Sequence, residues 1–364
     1  EVTPQASLPE RLAVGCVFAM MLGASVAAHE LAHALAARAR GKPVDSLTLY
    51  LFGGTANVND RGLSPSDEIV IGVAGPIASI LVAAVFITAG ALLLHTNKAA
   101  GGLVLEIGLA NVLLALFNAL PGFPMDGGRV LRGILWKASG NAVSATKRAS
   151  SAGRIIAYTI VALGPVLMFE NQIAAGIWLS ATGWLLAALA QSYYKAMLLK
   201  IALDGLHVSD LCARDLPVLQ TSDTVAAAAA HFGGGAMSRT LPVLFGERAA
   251  GVVTDVQIAA VPASDAATTT VSAVMTRAFE LPILEPGIDA AVLPPLLATS
   301  AHGAALVEAD GAYAGLVRRE DVNRYVEMVE DIGNSVAARR GVRAMRDRHM
   351  RYAQRAPRAP QNPP

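Results

Sequence analysis

Two unlike patterns of hydrophobic and polar residues divide the chain. Between residues 11 and 200, long apolar runs alternate with short polar connections, whereas residues 204–332 mix apolar and polar positions as water-soluble domains do. A helix that crosses the hydrocarbon core of a bilayer needs about 20 predominantly apolar residues. Five runs reach or approach this length, at residues 12–37, 69–94, 101–120, 155–169 and 173–190. We therefore predict a polytopic α-helical membrane domain over residues 1–200, in which Arg154 and the residues before it extend the short fourth run.

The basic residues of the connections predict how these spans are oriented. One set of connections carries twelve lysines and arginines, among them Arg38 and Arg129, while the opposite set carries only Arg11 and Lys98. Because cytoplasmic loops are enriched in Lys and Arg, we expect the first set and the soluble part after the fifth span in the cytoplasm. Five spans then place the N-terminus outside, so we expect one further helix before Glu1 and six spans in the intact protein.

Composition and charge add little to this division. Hydrophobic residues make up 54% of the chain and the net charge is +1, which points to no nucleic-acid partner. The two cysteines, Cys16 and Cys212, lie in different parts of the chain, so no disulfide framework is predicted. The lipid bilayer is the partner that the composition does predict.

The first span contains a cluster of ionisable residues, His29-Glu30-Leu31-Ala32-His33, in apolar surroundings. The two histidines are four residues apart, so on a helix they lie one turn apart on the same face and can bind one zinc ion. Glu30 can then reach a water on that metal. Ionisable groups are costly inside a membrane and usually mark a function. The pattern therefore predicts an intramembrane zinc site; the alternative is a buried turn with a structural role.

A catalytic zinc ion usually takes three protein ligands and a water molecule, so a third ligand is needed. No other histidine lies in a predicted span, which leaves a carboxylate. Asp126 is the candidate, because it follows the third span and approaches the same side of the membrane as the histidines. Pro121 and Pro124 interrupt the helix before it, and irregular backbone is tolerated in a membrane around a water-filled cavity. The alternative is an ordinary Asp-Gly turn.

These motifs resemble the site-2 protease family of intramembrane zinc metalloproteases. The His-Glu-Leu-Ala-His motif within a span is followed about 90 residues later by Asn-Ala-Leu-Pro-Gly-Phe-Pro-Met-Asp-Gly-Gly at 118–128, and the Gly-Pro-Ile-Ala-Ser segment at 75–79 also fits the family. The resemblance covers roughly residues 12–140, with Met125 where the family usually has leucine.

The resemblance implies a set of roles. Zinc binds to His29, His33 and Asp126, Glu30 is the general base, and Asn118 lines the substrate cleft. For Asn118 a second reading stays open, in which it only forms hydrogen bonds between helices, as Asn111 on the same helix face could. The expected substrate is a protein with a single transmembrane helix.

The connection between the first two spans predicts a β-hairpin. Residues 44–58 are rich in β-branched and aromatic side chains and contain a central Gly53-Gly54 pair. A hairpin edge can bind an extended substrate by strand addition, which makes Gly53 and Gly54 candidate substrate-binding residues. The alternative is a simple connector.

The soluble part consists of two copies of one unit, at about residues 207–262 and 270–325. Val208-Ser-Asp-Leu-Cys-Ala-Arg matches Val271-Ser-Ala-Val-Met-Thr-Arg at an offset of 63 residues, and the Gly251 and Gly315 segments match at an offset of 64. The pair resembles tandem cystathionine-β-synthase (CBS) domains, α/β modules that often bind adenine nucleotides. We expect the basic, proline-rich segment 335–364 to be disordered.

The nucleotide signature of CBS domains is only half-present in each copy. The first copy has the hydroxyl of Thr254 but Gln257 in place of the acidic residue, while the second has Asp321 but Arg318 in place of the hydroxyl. Thr254 and Asp321 are therefore weak candidates for nucleotide binding. A structural module that forms a homodimer is the alternative.

Together, these features predict a zinc-dependent intramembrane endopeptidase with a cytoplasmic CBS pair. The CBS fusion resembles prokaryotic members of the family and implies the plasma membrane. The competing hypothesis from another class is a non-catalytic membrane receptor or transporter gated by the CBS pair.

Overall fold

The computed structural model describes residues 7–50, 53–58, 63–213, 215–232 and 240–334, with only the backbone described at 45–50 and 53–58. The predicted tail at 335–364 lies outside these residues, as does Arg214. The chain forms two compact units. One contains residues up to Leu198 together with those from Gly333 onward, and the other contains Leu199–Ile332. We call them the membrane unit and the α/β unit.

Among its described residues, the membrane unit is helical apart from one hairpin. Its elements are α1 (Leu8–Ala39), β1 (Val44–Tyr50), β2 (Gly53–Val58), α2 (Pro65–Leu93), α3 (Lys98–Asn118), α4 (Asp126–Ser139), α5 (Ala142–Phe169) and α6 (Ile173–Leu203), whose last turn belongs to the other unit. Short polar side chains begin several helices: Ser64 accepts a hydrogen bond from the backbone of Asp67 in α2, and Asn141 accepts one from Ser144 in α5.

Five helices among the described residues, α1, α2, α3, α5 and α6, are long and apolar enough to cross a membrane. This confirms the prediction of a multi-pass helical membrane domain. The fourth span is longer than its apolar run, because α5 begins at Ala142 and continues to Phe169. The helix therefore extends through Arg154, as expected.

An amphipathic helix that the apolar pattern did not predict lies between the third and fourth spans. α4 begins at Asp126, directly after the segment that contains Pro121 and Pro124, and ends at Ser139. Gly140 follows it, with a φ of 68° in the left-handed region that favours glycine. Arg132 is buried on this helix, while Ile134 is 51% exposed. Asp126 is therefore presented by the first turn of a separate helix.

The predicted hairpin is present. β1 and β2 pair antiparallel, with Tyr50 opposite Gly53 and Leu49 opposite Gly54. The two glycines thus begin the second strand, rather than lying at the centre of the turn as their position in the sequence suggested.

The α/β unit contains short helices and two small sheets. In chain order its elements are α7 (Val208–Leu211), β3 (Leu219–Gln220), α8 (Val225–Ala229), β4 (Thr240–Phe245), β5 (Arg248–Thr254), α9 (Asp255–Ala259), α10 (Val271–Val274), β6 (Thr276–Arg277), β7 (Ile283–Leu284), α11 (Leu293–Thr299), β8 (Ala304–Ala309), β9 (Ala312–Arg318) and α12 (Arg319–Asn334). The strand orders are β3-β4-β5-β6 and β7-β8-β9.

The pairing of the strands confirms the internal duplication. The β4–β5 hairpin runs from Thr240 opposite Thr254, and the β8–β9 hairpin runs from Ala304 opposite Arg318, so both partners are shifted by 64 residues. Each hairpin also has its register irregularity at the equivalent place, after Val243 in one and after Val307 in the other. The predicted fold class, a helical membrane domain followed by a duplicated α/β pair, is confirmed.

Candidate metal centre

Three side chains meet where α1, α2 and the start of α4 pack together. The Oδ2 atom of Asp126 lies 3.0 Å from Nε2 of His29 and 3.2 Å from Nε2 of His33. The two Nε2 atoms are themselves 3.3 Å apart. The imidazoles are almost fully buried and the carboxylate is 17% exposed, so the cluster is shielded on the side of the histidines and partly open at Asp126.

These distances fit one zinc ion. Zinc–nitrogen and zinc–oxygen bonds of about 2.0–2.1 Å in a tetrahedral arrangement separate neighbouring ligand atoms by about 3.3 Å. The three observed separations, 3.0, 3.2 and 3.3 Å, are within a few tenths of an ångström of that value. Two imidazoles and one carboxylate are also ligands that zinc accepts, and they leave a fourth position for water.

The second nitrogen of each imidazole is held by α2. Nδ1 of His33 lies 2.7 Å from the carbonyl oxygen of Ile71, and Nδ1 of His29 lies 2.8 Å from Oγ of Ser79. Such partners are typical of metal-binding histidines, because they fix the orientation of the ring and leave Nε2 for the metal. Both imidazoles are therefore held with Nε2 directed towards Asp126.

A glycine on α2 makes room for the cluster. A Cβ atom at position 75 would lie 2.5 Å from Nε2 of His29 and closer still to Nε2 of His33. No side chain larger than that of glycine fits this position without displacing the ligand atoms. Gly75 is therefore required for α2 to approach the histidines this closely.

The segment before Asp126 is held by α5 and α6. Phe123 is fully buried, and its ring stacks on Tyr193 with 4.2 Å between the centroids. Its backbone nitrogen donates a hydrogen bond to the carbonyl of Ala149, and Gly153 allows the close approach because a Cβ there would collide with the carbonyl oxygen of Phe123. The last two spans thus support the segment that leads to Asp126.

The remaining candidates of the membrane unit are more dispersed. Glu30 follows His29 on α1, and its side chain is half-buried. Asn118 is the last residue of α3, and its Nδ2 donates a hydrogen bond to the carbonyl of Leu114 in the same helix, 3.0 Å away. The bond between helices is made by Asn111, whose Nδ2 donates to Oγ of Ser25. Gly53 and Gly54 lie in β2.

The weak nucleotide candidates are engaged within their own copies. The hydroxyl of Thr254 and the carboxamide of Gln257 bond to each other at the start of α9. Both carboxylate oxygens of Asp321 accept hydrogen bonds of 2.7 Å from Arg318. Asp321 therefore has a cationic partner at the position where the CBS signature has a hydroxyl.

Gly75 and Ser79 were noted only as part of a segment that fits the family, and neither they nor the carbonyl of Ile71 were predicted to contact the histidines. Residues 71, 75 and 79 recur every four positions, so they share one face of α2. A glycine and a serine on one face of an otherwise apolar span indicate a close approach by another helix. That signal points to a packed face, but it does not show that histidines lie against it.

Fold and site together define the class: a multi-pass membrane protein with a candidate His-His-Asp metal centre. The model of Peptidase family M50 matches residues 17–99 and 95–164, which lie within the membrane unit. This match confirms the resemblance to the site-2 proteases. It also supports the predicted enzyme class, a zinc metalloprotease.

A curated relative is named "Putative zinc metalloprotease Rip3" and comes from Mycobacterium tuberculosis; it is 37% identical over 202 residues, which cover 54% of this chain and 51% of the relative. The chain thus spans about half the length of this relative.

Two solved structures are similar to part of this chain. The site-2 protease from Methanocaldococcus jannaschii is 28% identical, with a TM-score of 0.36, and the similarity covers 46% of this chain and 76% of that protein. The CBS domain of a bacterial CNNM/CorC family Mg²⁺ transporter, solved in complex with ATP, is 18% identical, with a TM-score of 0.32, and the similarity covers 36% of this chain and 97% of that domain.

Proposed function

We propose that this protein is a zinc-dependent intramembrane endopeptidase, which hydrolyses a peptide bond within or near the transmembrane helix of a membrane-bound substrate. The observation that carries the proposal is the convergence of three ligand atoms, separated by 3.0–3.3 Å, between helices that include two candidate membrane spans. A metal centre in this setting can act on a substrate that remains in the bilayer. The curated relatives named as zinc metalloproteases support the same reaction class.

The roles of the residues follow from their chemistry. His29, His33 and Asp126 would hold one zinc ion, which when bound lowers the pKa of a water molecule and polarises the scissile carbonyl. The carboxylate of Glu30 accepts a proton from the attacking water and later transfers it to the nitrogen of the leaving amine. The water oxygen forms the new bond to the carbonyl carbon as the carbon–nitrogen bond breaks.

The substrate must unwind before it can be cleaved, since a helix keeps its peptide groups in its own hydrogen bonds. The β1–β2 hairpin supports a role in this step, because a strand edge re-forms hydrogen bonds with an extended segment. In this proposal Gly53 and Gly54 let the substrate backbone approach β2. Asn118, at the end of α3 and eight residues before Asp126, lines the cleft.

The α/β unit is proposed to regulate the protease or to form a homodimer. The excess of basic residues in one set of connections supports a metal centre and an α/β unit on the cytoplasmic side. The resemblance of the CBS fusion to prokaryotic members of the family supports the plasma membrane. Regulation by a nucleotide bound at Thr254 and Asp321 has less support, because Arg318 already donates hydrogen bonds to both carboxylate oxygens of Asp321.

The decisive experiment compares the wild type with Glu30→Gln in liposomes that contain a single-span substrate. We expect the variant to bind one zinc per chain, by elemental analysis, and to lose about 10²–10⁴-fold in cleavage rate. Glu106→Gln is the matched control, because Glu106 is exposed on the third span. If the Glu30 variant cleaves as fast as the wild type, the mechanism is wrong. A folded wild type that binds no zinc favours the receptor or transporter hypothesis.

A further inference from the structure

A second group of buried charges lies where α2 meets α4. Glu68 on α2 is 0% exposed, and its Oε1 lies 2.7 Å from Nη1 of Arg132 on α4. Nε of Arg129, also on α4, lies 3.7 Å from Oε2 of the same carboxylate. Because a buried carboxylate without a cationic partner is strongly destabilising, this ion pair constrains where α4 can lie along α2.

The arginine of this pair is itself held in place. Nε of Arg132 donates a 2.8 Å hydrogen bond to Oγ1 of Thr146 on α5. Its guanidinium also lies over the ring of Trp136, 5.0 Å from the centroid. The partner of Glu68 therefore has a defined position rather than a freely moving side chain, and the ion pair connects three helices.

Close backbone packing makes the position of α4 on α2 sensitive to this contact. A Cβ at Gly72 would lie 3.2 Å from the carbonyl oxygen of Asp126 and 2.9 Å from a methyl group of Val130. At the other end of the interface, a Cβ at Gly133 would lie 3.1 Å from Cβ of Glu68. The two helices have little room to slide without collision.

The same face of α2 contacts both parts of the metal centre. Residues 68, 72, 75 and 79 follow each other at intervals of three or four, so they form one stripe along the helix. The 75–79 portion contacts the histidines, while the 68–72 portion contacts α4. The distance from Asp126 to the two Nε2 atoms thus depends on the position of α4 along this stripe of α2.

From these contacts we infer that Glu68 is a positioning residue, which holds α4 through Arg132 and thereby places the carboxylate of Asp126 beside His29 and His33. The inference rests on the proposed metal centre. It does not involve Glu30 or the substrate, so it can be tested by metal binding alone.

The test uses the full chain in detergent or nanodiscs, with Co²⁺ as the probe and Glu68→Gln as the variant. The visible absorption of Co²⁺ reports the number and geometry of its ligands, and displacement by Zn²⁺ reports the affinity for zinc. We expect Glu68→Gln to change the Co²⁺ spectrum towards that of Asp126→Ala and to weaken zinc binding on the order of tenfold. Arg132→Gln should do the same, and it tests the contact from α4 if the first variant fails to fold.

Asp67→Asn is a matched control, since Asp67 is the neighbouring buried carboxylate and pairs with Arg40 rather than with α4. We expect it to lower thermal stability but to leave the Co²⁺ spectrum unchanged. A wild-type spectrum and zinc affinity in both Glu68→Gln and Arg132→Gln would overturn the inference, and so would equal losses in the Asp67 variant, since these would indicate general destabilisation. A wild type that binds no Co²⁺ overturns the metal centre itself and the role of Glu68 with it.

Discussion

Nδ1 of His33 lies 2.7 Å from the carbonyl oxygen of Ile71. A carbonyl can only accept a hydrogen bond, so Nδ1 carries a proton, and in the neutral ring Nε2 is the nitrogen whose lone pair faces Asp126. A cation would stabilise that lone pair and the carboxylate oxygen, which lie 3.2 Å apart. The backbone of α2 therefore favours the tautomer of His33 that can bind a metal through Nε2.

The hydrogen-bond partner of His29 is a side chain, that of Ser79, so its role can be tested by mutation. Ser79→Ala removes the oxygen that lies 2.8 Å from Nδ1 of His29, while Nε2 and its surroundings are kept. We expect zinc affinity to fall about 10–100-fold, measured by competition with a chromophoric chelator. Ser150→Ala is the control, because Ser150 is also buried but bonds to the carbonyl of Ala190 between α5 and α6. Equal zinc affinity in the two variants would contradict the role of Ser79.

Gly75→Ala should abolish zinc binding. Its new methyl group would occupy the space of the two Nε2 atoms, so either the imidazoles or α2 must move. The prediction is checked by the zinc content of the purified variant, which we expect to be near zero. Gly23→Ala, on α1, serves as the control because no atom lies within 4 Å of a Cβ at that position. There, alanine should keep the zinc and favour the helix by about 1 kcal/mol. Full zinc occupancy in Gly75→Ala would show that the packing of α2 does not limit the site.

Removal of the metal should lower the thermal stability of the membrane unit. A ligand that binds only the folded state stabilises it by about 4 kcal/mol at a concentration of 1,000 times its Kd. We therefore expect the melting temperature of the wild type to fall on treatment with a chelator and to recover when zinc is added. In Asp126→Ala this zinc-dependent shift should largely disappear. A shift that persists in full would place the metal elsewhere.

Arg318 should prevent adenine nucleotides from binding in the second copy of the α/β pair. We expect isothermal titration of the full chain with AMP, ADP or ATP to give no heat from this copy, since both oxygens of Asp321 are bonded to Arg318. Arg318→Ser releases the carboxylate and supplies a hydroxyl where the first copy has Thr254, so it should gain measurable affinity. Arg324→Ser is the control, because Arg324 is exposed on α12, the helix that also carries Asp321. Binding of equal strength in the wild type and in Arg318→Ser would refute this prediction.

The amino-acid pattern was sufficient for the features that depend on short stretches of chain. Apolar runs of membrane length predicted the five spans, since a helix must keep its backbone hydrogen bonds within itself to cross a bilayer. The spacing of His29 and His33 predicted a shared helix face, because the α-helix repeats every 3.6 residues. The repeat at offsets of 63 and 64 residues predicted two copies of one unit, because equivalent sequences form equivalent local structure, and each copy contains an equivalent hairpin.

What the pattern left undecided depends on contacts between residues far apart in the chain. Asp126 is 97 residues from His29, and their 3.0 Å separation exists only because α4 and α1 pack on the same helix, α2. Gly75 and Ser79 lay in a segment that resembled the family, and Glu68 lay at the polar end of an apolar run, but the contacts of all three with histidines or arginines were seen only in the packing. Residue types, periodicity and the family resemblance therefore sufficed to name the candidate metal ligands. The supports that orient those residues were decided by tertiary structure, because the position of one helix on another is set by the sum of many side-chain contacts.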